Sequence, residues 1–230
     1  MPEPAPAADD LDALVRRVDP ERWLSSRFIA EPERRADVVA LYAYDHELAR
    51  APKIASNPLL GEIRLTWWRE ALDEIFEGRP VRRHPTAQAL AEVVRRRDLA
   101  RAPLEAMIDA RYRELDPEPL REAEAADWAQ DVGGGAAWAA AAVLGAPGAP
   151  VRAAAAAWAL SWRIAEQPEL KAACERLLQQ GRREAAKLSP QTFPAAAHAV
   201  FAKARLGGRA APGGLGAQLR ITLAVARGRI

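Results

Sequence analysis

Prolines at positions 20, 32, 58, 85 and 103 each open a stretch whose apolar residues recur at three- and four-residue steps. Proline suits the first turn of a helix, where no intrahelical bond needs its missing N–H, and it is barred from central strands. The punctuation therefore predicts a series of helices. Asp19-Pro20 supplies a cap and a first-turn proline for a short helix through Phe28. Pro32 opens a longer one to about Arg50, with Val38, Leu41, Tyr42 and Leu48 at apolar positions. Asn57-Pro58 starts a third that ends at Gly78, on which Leu60, Ile63, Trp67, Ala71 and Ile75 form one buried stripe. Helices introduced by Pro85 and Pro103 carry the stripes Leu90/Val94 and Leu104/Ile108/Tyr112/Leu115.

The second half is less sharply marked. Pro119 to Leu144 reads as one helix loosened by Gly133-Gly134-Gly135, Arg152 to Ala165 as another, and Pro168 as the start of a charged helix ending near Lys187. Phe193 to Leu206 and Leu215 to Val225 complete the set, separated by a glycine-rich turn. Alanine dominates the apolar residues and aromatics make up only 6%, a composition that favours helix over strand. No segment alternates with period two, repeats, or resembles an interdomain linker. The expected architecture is one all-α domain over residues 11–230, preceded by a disordered, proline-rich leader over 1–10.

The uncharged run from Val132 to Val151 is long enough to cross a bilayer, for which about 20 apolar residues suffice. Its glycines and its break at Gly145, Pro147, Gly148 and Pro150 instead predict two packed core helices joined by a turn. The net charge of +2 argues for no partner by itself, and the leader lacks the order of a signal peptide. Cys174 can form no internal disulfide and reads as a small buried filler in a reducing compartment. A cytoplasmic chain, with peripheral membrane contact as a further option, is the expectation.

His46, His84 and His198 have no partner at ligand spacing, so a metal site on them is not expected. No phosphate-binding loop or nucleophile elbow is present. Two carboxylate pairs at four-residue spacing project from one helix face each: Asp73 with Glu77, and Asp127 with Asp131. On facing helices they could hold Mg²⁺ against a diphosphate. The simpler reading places Asp73, Glu74 and Glu77 on a solvated face. From Ala185 to the end there is no acid, while Lys187, Lys203, Arg205, Arg209, Arg220, Arg227 and Arg229 are cationic. Such a tail suits an anionic membrane surface or an acidic partner, or it neutralises earlier acidic faces. With only Phe193 and Phe201 interleaved, nucleic acid is a poor fit.

Leu41-Tyr-Ala-Tyr-Asp-His-Glu-Leu48 and Pro58-Leu-Leu-Gly-Glu-Ile-Arg-Leu-Thr-Trp-Trp-Arg-Glu-Ala-Leu-Asp-Glu-Ile75 resemble the squalene/phytoene synthase family. The resemblance covers roughly Arg22 to Leu115. It is nearest to a divergent branch that includes proteins similar to a mitochondrial complex I assembly factor. It implies the all-helical isoprenoid synthase fold with a central cup. Working members condense two prenyl diphosphates, using two acid clusters on facing helices to hold Mg²⁺ on the departing diphosphate. The first cluster should follow Tyr42-Ala43-Tyr44, but after Glu47 the chain offers Ala49, Arg50 and Lys53. Each like-charge contact at ~4 Å costs about 1–4 kcal/mol, so this position repels a metal ion. The second cluster should lie near Leu160-Ser-Trp-Arg-Ile-Ala-Glu-Gln167, which offers Glu166 and no aspartate. Arg34, Arg35 and Arg64 are candidates to meet a diphosphate.

Three readings follow. In the first, the chain is a catalytically degenerate family member, a binding or assembly protein with a protein partner or a prenyl or lipid-like ligand and no cofactor. In the second, it is an active Mg²⁺-dependent prenyltransferase whose metal ligands are the relocated acids Asp73, Glu77, Asp127 and Asp131. In the third, it is a structural helical domain without a ligand.

Overall fold

The computed structural model describes residues 8–53, 57–209 and 213–230. Among these residues every regular element is helical. The α-helices are α1 (Ala8–Val18), α2 (Pro20–Ser26), α3 (Pro32–Lys53), α4 (Pro58–Phe76), α5 (Pro85–Arg97), α6 (Arg101–Tyr112), α7 (Glu122–Val143), α8 (Arg152–Ser161), α9 (Lys171–Ala185), α10 (Ala202–Leu206) and α11 (Gly214–Arg227). The all-α expectation holds. Helix α1 overruns the expected leader from Ala8 onward, and the rest of that leader lies outside the described residues.

The proline signals work as read. Asp19 caps α2 by accepting from the Arg22 backbone N–H at 3.1 Å, and Asn57 caps α4 by accepting from that of Leu60 at 3.0 Å. Helix α3 is the spine, packed against α1, α2, α4, α5, α6 and α7. Its contact face buries Val38, Leu41, Tyr42, Tyr44 and Leu48.

Several expectations need correction. On α4 the buried stripe is Gly61, Leu65, Trp68, Ala71 and Leu72, whereas Leu60 and Ile63 are exposed. Apolar residues on both sides of that helix left two stripes with equal claim to the core, and only its neighbours chose between them. The segment from Phe193 folds as 3-10 turns at Phe193–Ala195 and Ala197–Phe201 before the short α10, and not as one helix. Pro168 likewise begins a 3-10 turn that leads into α9.

The triple glycine does not loosen α7, which runs unbroken through it. A Cβ on Gly133 would lie 2.6 Å from the Ala155 carbonyl oxygen and 2.7 Å from the Ala159 methyl, so the glycine lets α8 approach α7 closely. Across the other side of α8, a Cβ on Gly181 of α9 would meet the Ala154 backbone at 2.5 Å. Helix α8, alanine-rich and buried from Ala153 to Ser161, is thus clasped between two helices whose contact points are glycine. Cys174 fills this layer as expected; its thiol donates to the Ala157 carbonyl at 3.2 Å, and burial pushes its pKa up to about 12.

An exposed glycine in a helix gains stability when changed to alanine, but this backbone contact reverses the sign. Gly181→Ala should lower stability by about 1–3 kcal/mol through overpacking, read as a drop in urea midpoint with unchanged slope.

Candidate functional site

Polar residues converge where α2, α3, α6 and α8 meet. Asp45 of α3 is buried between two guanidinium groups: Arg22 of α2 donates to one carboxylate oxygen at 2.7 Å, and Arg111 of α6 to the other at 2.8 Å. Arg22 also bonds the Asp19 side chain, and Arg111 also bonds Glu114. Arg163, in the turn after α8, reaches Glu114 at 2.8 Å. Beside this chain of ion pairs, Arg205 of α10 bonds Glu21, which also accepts from the Trp158 indole N–H. Four carboxylates therefore face four guanidinium groups.

The rings complete the enclosure. The Arg22 guanidinium lies 4.9 Å from the centroids of both Tyr42 and Trp158, a cation held between two aromatic faces. Arg163 stacks at 4.9 Å on Trp128, and Arg205 at 3.5 Å on Trp162. His198 is buried 5.0 Å from the Trp158 ring, edge to face, and neither of its ring nitrogens has a hydrogen-bond partner in the protein.

Electrostatics follow from this geometry. Burial alone would raise the Asp45 pKa, but Arg22 and Arg111 outweigh it and hold the carboxyl below its ordinary value. Burial opposes the charge on Arg22 in turn, and Asp19 and Asp45 more than reverse that effect. His198 has no such compensation: burial and the cations Arg22 and Arg205, opposed only weakly by Asp45, hold it neutral well below the ordinary histidine range.

The relocated acids are not brought together. Asp73 bonds Arg101 at the start of α6, while Asp131 bonds Arg152 at the start of α8 at 3.3 Å. Glu77 caps the end of α4 and bonds Arg79 at 2.6 Å, and Asp127 is exposed. None of the four lines any of the three main cavities among the described residues. Nor is Glu74 part of a freely solvated face, because Arg82 clamps it at 2.7 Å.

Where the resemblance places the first acid cluster, Glu47 bonds Arg50 at 3.0 Å, and Ala49 and Lys53 add no carboxylate. At the second, Glu166 is exposed and Gln167 is turned inward, donating to the Leu120 carbonyl at 3.0 Å. One acid tied to an arginine, with a lysine nearby, does not fit the oxygen cage that Mg²⁺ takes. The arginines Arg34, Arg35 and Arg64 do not form one site. Arg34 bonds Glu31 at 2.7 Å near the start of α3, next to Arg35 in sequence. Arg64 instead lines a separate cavity of about 360 Å³ with Glu47, Arg50, Trp67, Trp68 and His84. Arg205 leaves the expected tail surface altogether, being part of the polar centre, while Lys203, Arg209, Arg227 and Arg229 are exposed and Arg220 half-buried.

The all-helical fold is that of the squalene synthase structures. Over 95% of both chains it is similar to a dehydrosqualene synthase crystallised with a ligand, at TM-score 0.75 and 12% identity. It is also similar to squalene synthase HpnC from Alicyclobacillus acidocaldarius, at TM-score 0.68 and 14% identity, over 87% of this chain and 92% of that one. At such identities the likeness establishes the fold alone. Residues 15–166 match the squalene/phytoene synthase family, and the chain belongs to that family. In sequence it is 32% identical over 108 residues to NADH dehydrogenase (ubiquinone) complex I, assembly factor 6 of Bos taurus, and 35% identical over 109 residues to that of Rattus norvegicus. Each match covers 47% of this chain and 32% of the relative, so it spans about a third of the relatives' length.

Removing Asp45 leaves two buried cations facing each other, and breaking such a pair costs about 3–5 kcal/mol. Asp45→Ala should show that loss in a urea titration. The pH dependence divides into two windows. His198 is neutral in the fold but protonates in the unfolded chain below its ordinary 6.5, so stability is full above that value and declines as pH falls through it. Asp45, shifted downward, loses its contribution only below its ordinary 3.8. His198→Phe should reduce the slope of the stability profile between those two values, leaving the smaller part that His46 and His84, also held below their ordinary value by burial, supply.

Proposed function

We propose that this chain is a binding or assembly protein that keeps the fold of its family without the prenyl diphosphate chemistry. The observation that carries the reading is the polar centre. Each of its guanidinium groups already faces a carboxylate and most stack on a ring, so none is left free to draw off a diphosphate. The residues at the two metal positions support the same reading, since neither supplies a carboxylate cluster, and no Mg²⁺ dependence is expected.

The similarity to complex I assembly factor 6 supports protein partners as the object of binding, and components of a respiratory complex are the first class to try. A prenyl or lipid-like ligand is the finer alternative. It is supported by a cavity of about 1110 Å³ lined by Trp23, Leu24, Trp162, Ile164 and Leu206, with Arg16, Lys171 and Arg209 among its lining residues. The cations of the tail support peripheral contact with an anionic surface.

Folded protein incubated with farnesyl or geranylgeranyl diphosphate and Mg²⁺ should release no diphosphate above a protein-free control. Release that is abolished by Asp73→Asn or Asp127→Asn would overturn the reading in favour of a prenyltransferase with relocated metal ligands.

A further inference from the structure

Helix α11 is apolar on two opposite sides. Its inner side buries Ala217, Ile221 and Ala224 against the 3-10 turn at residues 197–201 and against α2. Leu215, Leu219 and Leu223 recur every four residues on the other side, at 83%, 63% and 41% exposure. Their 100° steps place them in one strip with Ala226, pointing away from the core. Arg220 and Arg227 follow along one edge of that strip, and neither forms an ion pair among the described residues. One inner stripe is enough to dock a helix; a second, leucine-lined stripe on the solvent side is not explained by packing among the described residues.

We propose that the outer face of α11 lies flat on an anionic lipid bilayer, with the three leucines entering the headgroup–acyl boundary and Arg220 and Arg227 meeting lipid phosphates. Charge decides between occupants. The chain has no Asp or Glu from Ala185 to its end, so a second copy related by twofold symmetry would set this cationic face against itself. A bilayer carrying anionic lipid accepts the apolar strip and the cations together. At 14 residues the helix is roughly 21 Å long, suited to lying in the interface, and no helix among the described residues is long and apolar enough to cross a membrane.

This inference gives the tail's cations a defined face and rests on α11 alone, so it stands or fails apart from the chemistry of the polar centre. Its test is flotation of the full chain with phosphatidylcholine vesicles, with and without phosphatidylglycerol. The protein should float with the phosphatidylglycerol vesicles, stay behind with pure phosphatidylcholine, and be released by high salt. Leu219→Gln with Leu223→Gln should abolish flotation while leaving the thermal midpoint of these solvent-facing positions unchanged. Arg220→Gln with Arg227→Gln should abolish it independently. Absence of flotation, or flotation that survives both pairs of substitutions, overturns the proposal. A wild-type dimer converted to monomer by the leucine substitutions also overturns it and assigns the face to a second copy.

Discussion

Asp45 is held between Arg22 and Arg111, and through them α2, α3 and α6 are tied at one buried point. Taking an ion from water into a protein interior costs several kcal/mol, which attraction recovers only when geometry and further hydrogen bonds are good. Here the cost is met by extending the network: Asp19 on one side, Glu114 and Arg163 on the other. Asp45 is the member both inner guanidinium groups share, so its removal leaves Arg22 and Arg111 each with one partner fewer. The arrangement of helices around this centre therefore follows from charge pairing as much as from apolar burial.

A second constraint is steric. Helix α8 has alanines where most core helices carry leucine, so it can be covered only if its neighbours come unusually close. Gly133 and Gly181 permit that approach from α7 and α9. The close layer in turn places Trp158 against Arg22 and His198, so the small-residue packing and the polar centre depend on each other. A centre in which every cation is matched and most are stacked on rings is better suited to rigidity than to turnover. That contrast underlies the preference for a binding role over prenyl transfer.

Much of the fold was legible in local signals. Asp19-Pro20 and Asn57-Pro58 marked helix starts that the structure places where expected, because a cap and a first-turn proline act within one turn of chain. The polar centre was less legible, although traces of it exist. Asp45 stands three residues after Tyr42 and three before Leu48, and Arg111 three after Ile108, so both interrupt otherwise apolar stripes. A charge on a buried stripe signals a buried partner, but the partner's identity is set by a contact across 66 residues that no periodicity encodes. The four spaced acids drew attention for the opposite reason: their pattern was local, while the partners of Asp73 and Asp131, Arg101 and Arg152, lie on other helices.

The sequence alone determined that the chain is helical, where most of its helices begin and which family it resembles. Those properties depend on residue type and short-range spacing. Tertiary structure decided which side of α4 is buried, that the triple glycine is a contact and not a weak point, that Arg205 belongs to the centre and not to the tail surface, and that α11 keeps a leucine face turned outward. Each of these is a choice between faces or partners of equal local merit, and only the packing of distant helices breaks the tie.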